Sequence, residues 1–456
     1  MMNQMTLEHL CTACGGTYYG PKENYHTCVE GITIDSRTAD AGWLFAATVG
    51  ERVDGHSFIS GCYEKGVLCC LGEQPPVSEE HSYIQVASTF QALKDIAAYY
   101  RQLLTIPFIG ITGSVGKTST KEMIASVLGV LFSTLKTSGN FNNEVGVPLT
   151  MFRIRPEHEA AVLEMGISDF GEMHRLSAIV RPNICVMTNI GFCHLERLGD
   201  RDGVLKAKSE IFDFASDGFQ VVLNGDDDKL RTLKDRKDLK ITSFGLEPSN
   251  DVFAKNVKNL GLDGMICDIV LPEKTISVHI PIPGMHMVYN ALAGACVGLL
   301  LGMSPEKIQE GIEKTETISG RNHIIHTKNY VIMDDCYNAN PVSMRASLDV
   351  LSNAPGRKVA VLGDMGELGA EEKQLHFGVG EHAAKKQIDL LLCVGSLSEE
   401  TVKGAKSIKP DMNAYLFQTK EELLEKLPEL LNKGDSILIK ASHFMQFEKI
   451  VKALED

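Results

Sequence analysis

Gly113-Ser-Val-Gly116-Lys117-Thr118 stands between an apolar run, Phe108-Ile-Gly-Ile-Thr112, and a segment with apolar residues at Ile124, Val127, Leu128 and Leu131. The i, i+3, i+4, i+7 spacing predicts a helix, and the short run before it reads as a buried strand. A strand that turns through glycines into a helix points the helix's first N–H groups out of the turn. That is an anion site, reinforced by the helix dipole. Lys117 is placed to reach the β- and γ-phosphates of a nucleotide, and the Thr118 hydroxyl to coordinate Mg²⁺. Gly113, Ser114, Val115, Gly116 and Ser119 complete the predicted nucleotide loop. The string is shorter than G-x-x-x-x-G-K-[ST], because Ile111 occupies the place of the first glycine.

The rest of the chain repeats the strand–helix rhythm. Strands are expected at 67–71, 83–86, 160–165, 184–188, 221–224 and 276–283, and helices at 91–104 and 288–301. The second helix is rich in Ala and Gly and should pack closely. A third βα series places strands at 330–333, 358–362, 390–394 and 437–439. Strands alternating with helices predict an α/β protein with doubly wound, mostly parallel sheets. At roughly 150 residues per domain, 456 residues suggest about three domains. Turn-rich breaks near Thr105-Ile-Pro107 and Thr317-Ile-Ser-Gly320 divide them into 1–105, a small α/β domain, 106–316, holding the glycine loop, and 317–456, of Rossmann-like type. The third series lacks G-x-G-x-x-G after its first strand, so hydride transfer from a nicotinamide is not indicated.

With 45 Lys+Arg against 59 Asp+Glu, the net charge is −14, which argues against a nucleic-acid partner. The first twenty residues have neither a basic nor an apolar leader segment, so no secretory signal is expected. The longest apolar stretch, about 291–303, is short of the ~18 residues of a membrane span. Of the twelve cysteines, Cys11 and Cys14 form a C-x-x-C without a second ligand pair, and Cys69-Cys70 lie in an apolar run that reads as core.

Glu164 closes the apolar run Ala161-Val-Leu-Glu164, at the edge where ligands collect on parallel sheets. A carboxylate there suits Mg²⁺; the plainer reading is a solvated strand end. His194, after the turn Asn189-Ile-Gly191, reads on its own as structural. Lys208, in the helical stretch 204–214, reads on its own as a surface lysine.

Taken in order, the motifs are similar to those of the Mur ligases, ATP-dependent enzymes of peptidoglycan synthesis. The resemblance rests on Gly110–Thr118, Asp35-Ser36-Arg37 with Asp54-Gly-His56, and Asn140-Phe-Asn-Asn143-Glu-Val-Gly146. It continues through Glu164-Met-Gly166, Thr188-Asn-Ile-Gly191 with His194, Lys206-Ala-Lys208, Gly320-Arg321, Asp334-Asp335-Cys-Tyr337-Asn338-Ala-Asn340-Pro341, and Gly363-Asp364-Met-Gly-Glu367-Leu-Gly369. The last two are closest to the branch that adds D-alanyl-D-alanine. The Asp-Asn-Pro-Arg of the diaminopimelate-adding branch is absent.

The resemblance implies a cytoplasmic, monomeric enzyme using ATP and two Mg²⁺, with UDP-N-acetylmuramoyl-tripeptide and D-Ala-D-Ala as substrates. It implies Lys117, Glu164, His194, Lys208 and Arg321 as the catalytic set. Thr118, Glu164, His194 and a carbamylated Lys208 would hold the metals. Asn290 would approach the adenine, Arg321 the γ-phosphate and Asp335 the ribose. Ser36, Arg37, Asn140 and Asn143 would meet the UDP substrate, and Tyr337, Asn338 and Asn340 the dipeptide. Three positions depart from the family: Met287 for Asn, Cys336 for Ser, and Ala441-Ser-His443 for Gly-Ser-Arg. Met287 could pack on the adenine ring in place of an amide. A Mur-type ligase with another amine, or a nucleotide-binding relative without catalysis, are the alternatives that these departures leave.

Overall fold

The computed structural model describes residues 2, 4–76 and 78–455. Among the described residues the chain is mixed α/β, with three sheets of five, nine and six strands. It divides into two compact units, one of Met1–Thr112, Leu131–Val186 and Lys208–Val221, the other of Gly113–Val130, Met187–Ala207 and Val222–Asp456.

In the first unit, the five-stranded sheet takes the order Thr17–Tyr19, Ser82–Gln85, Cys69–Gly72, Leu44–Ala46, Ile32–Thr33. Its first pair is antiparallel and the others are parallel. Cys69 and Cys70 are fully buried, as the apolar run predicts, and all twelve cysteines are free thiols. Cys11 and Cys14 lie on a helix, Leu7–Cys14, that the sequence reading did not find. The predicted helix at 91–104 is Thr89–Gln102, capped by Ser88, whose hydroxyl accepts from Gln91 N at 3.3 Å. Strand Phe108–Thr112 runs parallel to Ala160–Glu164 with Ile111 opposite Glu164, and Thr134–Lys136 flanks Ala160–Glu164 on its other side.

In the second unit, helix Lys117–Leu128 packs on Met285–Leu300 and on Pro305–Glu313. The expected close approach is present. A side chain on Gly294 would come within 3.2 Å of Met123 and Val127, tighter than an ordinary contact, so a larger residue here would have to push those side chains aside. Val252–Asn259, Met265–Val270 and Thr275–Ile280 form an antiparallel meander, of which the sequence reading found only the last strand. A register shift between Lys255 and Lys258 interrupts the alternation that would have revealed the first. The six-stranded sheet runs His323–His326, Val331–Asp334, Ser436–Lys440, Lys358–Gly363, Leu390–Val394, Asn413–Phe417. It is parallel except at His323–His326. Three of its carboxyl ends carry Asp334-Asp335, Gly363-Asp364 and Lys440-Ala441. Among the described residues, no helix is long and apolar enough to cross a membrane.

Candidate functional site

The glycine loop is held from outside by the segment Thr188–Gly191. Ser114 N donates to Asn189 O at 3.0 Å, and Val115 N to Asn189 Oδ1 at 2.9 Å. Asn189 Nδ2 and Thr188 Oγ1 both donate to Val115 O, at 2.9 and 2.8 Å. Gly191 N donates to Ser114 Oγ at 2.8 Å. Gly113 has φ +152°, and a Cβ there would collide with Thr188 Oγ1, so the close approach requires glycine. Gly116 caps the helix in the left-handed region. The first bond into the helix is Thr120 N to Gly116 O at 2.8 Å. The amides of Gly116, Lys117, Thr118 and Ser119 are therefore the four donors of this helix start that have no intrahelical acceptor. Lys117 Nζ donates to Gly113 O at 2.9 Å, folding its ammonium back over the loop. Asn189, which the sequence analysis quoted only as part of a motif, proves to be the loop's main anchor.

Thr118 is buried at the start of this helix, and Asn290 is buried against the next turn. Thr120 Oγ1 donates to Asn290 Oδ1 at 2.9 Å, and Asn290 Nδ2 meets Met287 Sδ at 3.2 Å. Met287 is itself buried, so its sulfur here partners the Asn290 amide.

In the first unit, Glu164 is only 2% exposed, which removes the reading of a solvated strand end. Asn142 Nδ2 donates to its Oε1 at 2.8 Å, and Thr137 Oγ1 accepts from its N–H at 3.0 Å. Of the asparagines singled out, Asn143 accepts from Val145 N and Gly146 N in the turn that leads into helix Gly146–Met151, and Asn140 is exposed. Asn142, between them, is the one that reaches a predicted catalytic carboxylate. Lys208 is 1% exposed and is not a surface lysine. Arg37 is exposed and pairs with Asp35 at 2.7 Å; together with Arg37's own N–H this holds the Asp35 carboxyl down at about 2. Ser36 O accepts from Lys65 Nζ at 2.6 Å.

The second unit also holds the residues that follow the second predicted boundary. Gly320 N donates to Asp334 Oδ2 at 2.7 Å, and Tyr337 N to Gly320 O at 3.1 Å. The Arg321 guanidinium lies 4.1 Å over the Tyr337 ring, a cation–π contact. The ring of His443, where the family has Arg, sits 5.5 Å from Tyr337. Asp335 is held at both oxygens. Asn322 N donates to Oδ1 at 3.1 Å, while Ser347 Oγ and Lys440 Nζ donate to Oδ2, each at 2.5 Å. Cys336 is buried, and that burial pushes its thiol well up, so it is a small neutral side chain in place of Ser. Asn338 is exposed, and Asn340 caps helix Pro341–Ser352 by accepting from Ser343 N at 2.9 Å. His194 has φ +50° and lies with Nδ1 3.0 Å from Glu367 Oε2.

Three family models match in succession: the Mur ligase family catalytic domain over residues 28–104, the Mur ligase middle domain over 111–298, and the Mur ligase glutamate ligase domain over 320–443. The chain is 36% identical to the UDP-N-acetylmuramoyl-tripeptide--D-alanyl-D-alanine ligase of Bacillus subtilis, covering 99% of both sequences. It is similar to a crystal structure of MurF from Acinetobacter baumannii at TM-score 0.89 and 34% identity, covering 100% of this chain and 99% of that one. It is also similar to the MurF ligase of Thermotoga maritima solved in complex with ADP, at TM-score 0.82 and 28% identity, covering 93% and 97%. With family models spanning most of its length and relatives matched end to end, the chain belongs to the Mur ligase family.

Proposed function

We propose that this protein is an ATP-dependent, ADP-forming amide ligase that joins D-Ala-D-Ala to UDP-N-acetylmuramoyl-tripeptide in the cytoplasm, as a monomer. The observation that carries the reading is the anchored glycine loop, with four helix-start amides and Lys117 at one place, in a chain matched end to end by ligases of this name. The segments 1–105, 106–316 and 317–456 would hold the UDP substrate, ATP and the dipeptide respectively. The three family models support that division.

A carboxylate is a poor electrophile, and phosphorylation gives it a leaving group. An oxygen of the tripeptide's terminal carboxylate attacks the γ-phosphorus and ADP departs. The dipeptide amine then attacks the acyl carbon, loses its proton and displaces phosphate. Positioning and charge neutralisation supply most of the rate. Lys117 and the helix-start amides bind the phosphates, and Arg321 would add a further cation at the γ-phosphate.

Glu164 and Thr118 would hold Mg²⁺, and each has the chemistry for it. Buried Glu164 and the Thr118 hydroxyl are hard oxygen donors, and magnesium is commonly held by one or two carboxylates together with phosphates. When bound, the metal neutralises charge on the transferring phosphoryl group. His194 and Lys208 would serve a second ion. The burial of Lys208 supports carbamylation, which would turn a cation into a carboxylate-like ligand. Asn290 would meet the adenine and Asp335 the ribose. Ser36, Arg37, Asn140 and Asn143 would contact the UDP substrate, and Tyr337, Asn338 and Asn340 the dipeptide.

The test is isotopic. Tripeptide substrate labelled with ¹⁸O in its terminal carboxylate should pass one ¹⁸O into the released phosphate. Unlabelled phosphate accompanying amide formation would rule out the acyl-phosphate route.

A further inference from the structure

Gly363-Asp364-Met-Gly-Glu367-Leu-Gly369 is a conspicuous motif to which the proposed reaction gives no role. The fold fixes nearly every residue of it. The Asp364 carboxylate accepts from Ser398 N and Ser398 Oγ, each at 2.7 Å, at the start of helix Ser398–Ile408. Met365 N donates to His376 Nε2 at 2.9 Å, and His376 Nδ1 is tied to Glu372 O at 2.7 Å. Gly366 N donates to Ser442 Oγ at 2.9 Å, and Ser442 N to Asp364 O at 3.1 Å. Met365 and Leu368 are buried.

Glu367 is the exception: its side chain is 73% exposed and turned outward, its φ is +60°, and its Oε2 meets His194 Nδ1. His194 is also in the left-handed region. That region costs a residue with a Cβ about 1 kcal/mol or more, and such strain persists where the surrounding structure imposes it. The short helix Leu195–Leu198, which His194 caps, packs against the turn Gly369–Glu371 that follows Glu367. Two strained residues are thus held face to face by two separately anchored segments.

A carboxylate only accepts, so the pairing places the proton on Nδ1 and leaves Nε2 as the acceptor of the neutral ring. We propose that Glu367 is a positioning residue that fixes the tautomer and orientation of His194, so that Nε2 is the nitrogen offered to a divalent cation. The arrangement is the carboxylate–histidine pairing that tunes metal-binding imidazoles. The inference rests on the reading that His194 serves Mg²⁺ in the ligase.

The experiment has two readouts on the full-length protein. The first is ¹⁵N-histidine NMR without metal or nucleotide, with His194 assigned by loss of its signal in His194→Gln. Wild type should show the Nδ1–H form. Glu367→Ala should shift the population toward Nε2–H, and Glu367→Gln, whose amide oxygen can still accept, should retain more of Nδ1–H. The second is Mn²⁺ titration followed by EPR with ADP present. Glu367→Ala should weaken Mn²⁺ binding by about tenfold, and Glu367→Gln by less. An unchanged His194 tautomer in Glu367→Ala overturns the proposal, as does a changed tautomer with wild-type Mn²⁺ affinity. A wild-type protein that releases no phosphate with tripeptide and D-Ala-D-Ala would sink the ligase reading instead, while the tautomer result would still stand or fall by itself.

Discussion

Asn142 and Glu164 are bonded side chain to side chain at 2.8 Å, and the carboxylate is buried at the end of its strand. The amide fixes the orientation of one carboxylate oxygen, Oε1. Asn142→Ala should lower kcat about 10–100-fold and raise the Mg²⁺ concentration needed for half-maximal rate. Asn142→Asp, close to isosteric, should lose more than Asn142→Ala, because it sets a like charge beside Glu164. Steady-state kinetics across a Mg²⁺ series would check the order; Asn142→Asp retaining more activity than Asn142→Ala would contradict it.

Asn189 clamps Val115 from both sides through its side chain. At about 1 kcal/mol per bond, Asn189→Ala should loosen the loop by about 2 kcal/mol. Where that coupling is fully expressed in binding, ADP affinity falls roughly 30-fold. Calorimetric titration with ADP measures it. Since the amide lies outside the loop, Asn189→Asp should also fail, because it removes the donor to Val115 O.

The buried Lys440 pairs with the partly buried Asp335 and also donates to Asn338 O at 3.1 Å. Removing Lys440 leaves the Asp335 carboxylate with Asn322 N and Ser347 Oγ but no cation, so Lys440→Met should cost about 1.5–3 kcal/mol of stability. Urea denaturation would read this as a lower midpoint. The double variant Lys440→Met/Asp335→Asn should recover part of the loss.

The Asp35 carboxyl is held at about 2 by the Arg37 guanidinium and the Arg37 N–H. A depressed carboxyl contributes stability that is present above its ordinary value near 4 and is lost as pH falls through about 2. Both groups are solvated, so salt should screen the effect. Carbon-detected NMR titration of Arg37→Ala should show the Asp35 midpoint rising toward the ordinary carboxylate range.

What the sequence made legible follows from what local pattern can encode. The strand, glycine turn and helix at 108–128 were readable because periodicity and turn chemistry agree there. Lys208 was misread in isolation, yet its neighbours held the signal. Val204, Ala207, Lys208 and Ile211 recur at i, i+3, i+4 and i+7, and all four are buried. A lysine in phase with an apolar stripe is carried inward by its helix. Asn142 was less accessible, because it lies outside any strand or helix and its role depends on a carboxylate 22 positions away, at the end of strand Ala160–Glu164. Asn340 and Asn143 illustrate the converse: the resemblance places both at a substrate, while their side-chain bonds are local, Asn340 in a capping box and Asn143 to the turn before helix Gly146–Met151. The strand at 413–417 escaped notice because Asn413 and Tyr415 are exposed at the sheet edge, which dilutes the apolar run.

The most direct test of the central claim is phosphate release from ATP with UDP-N-acetylmuramoyl-tripeptide, in parallel reactions containing D-Ala-D-Ala or single amino acids, with products weighed by mass spectrometry. The account predicts release that requires D-Ala-D-Ala and a product heavier than the tripeptide by the dipeptide less one water. Release supported equally by single amino acids, or none with any amine despite measurable ADP binding, would contradict it.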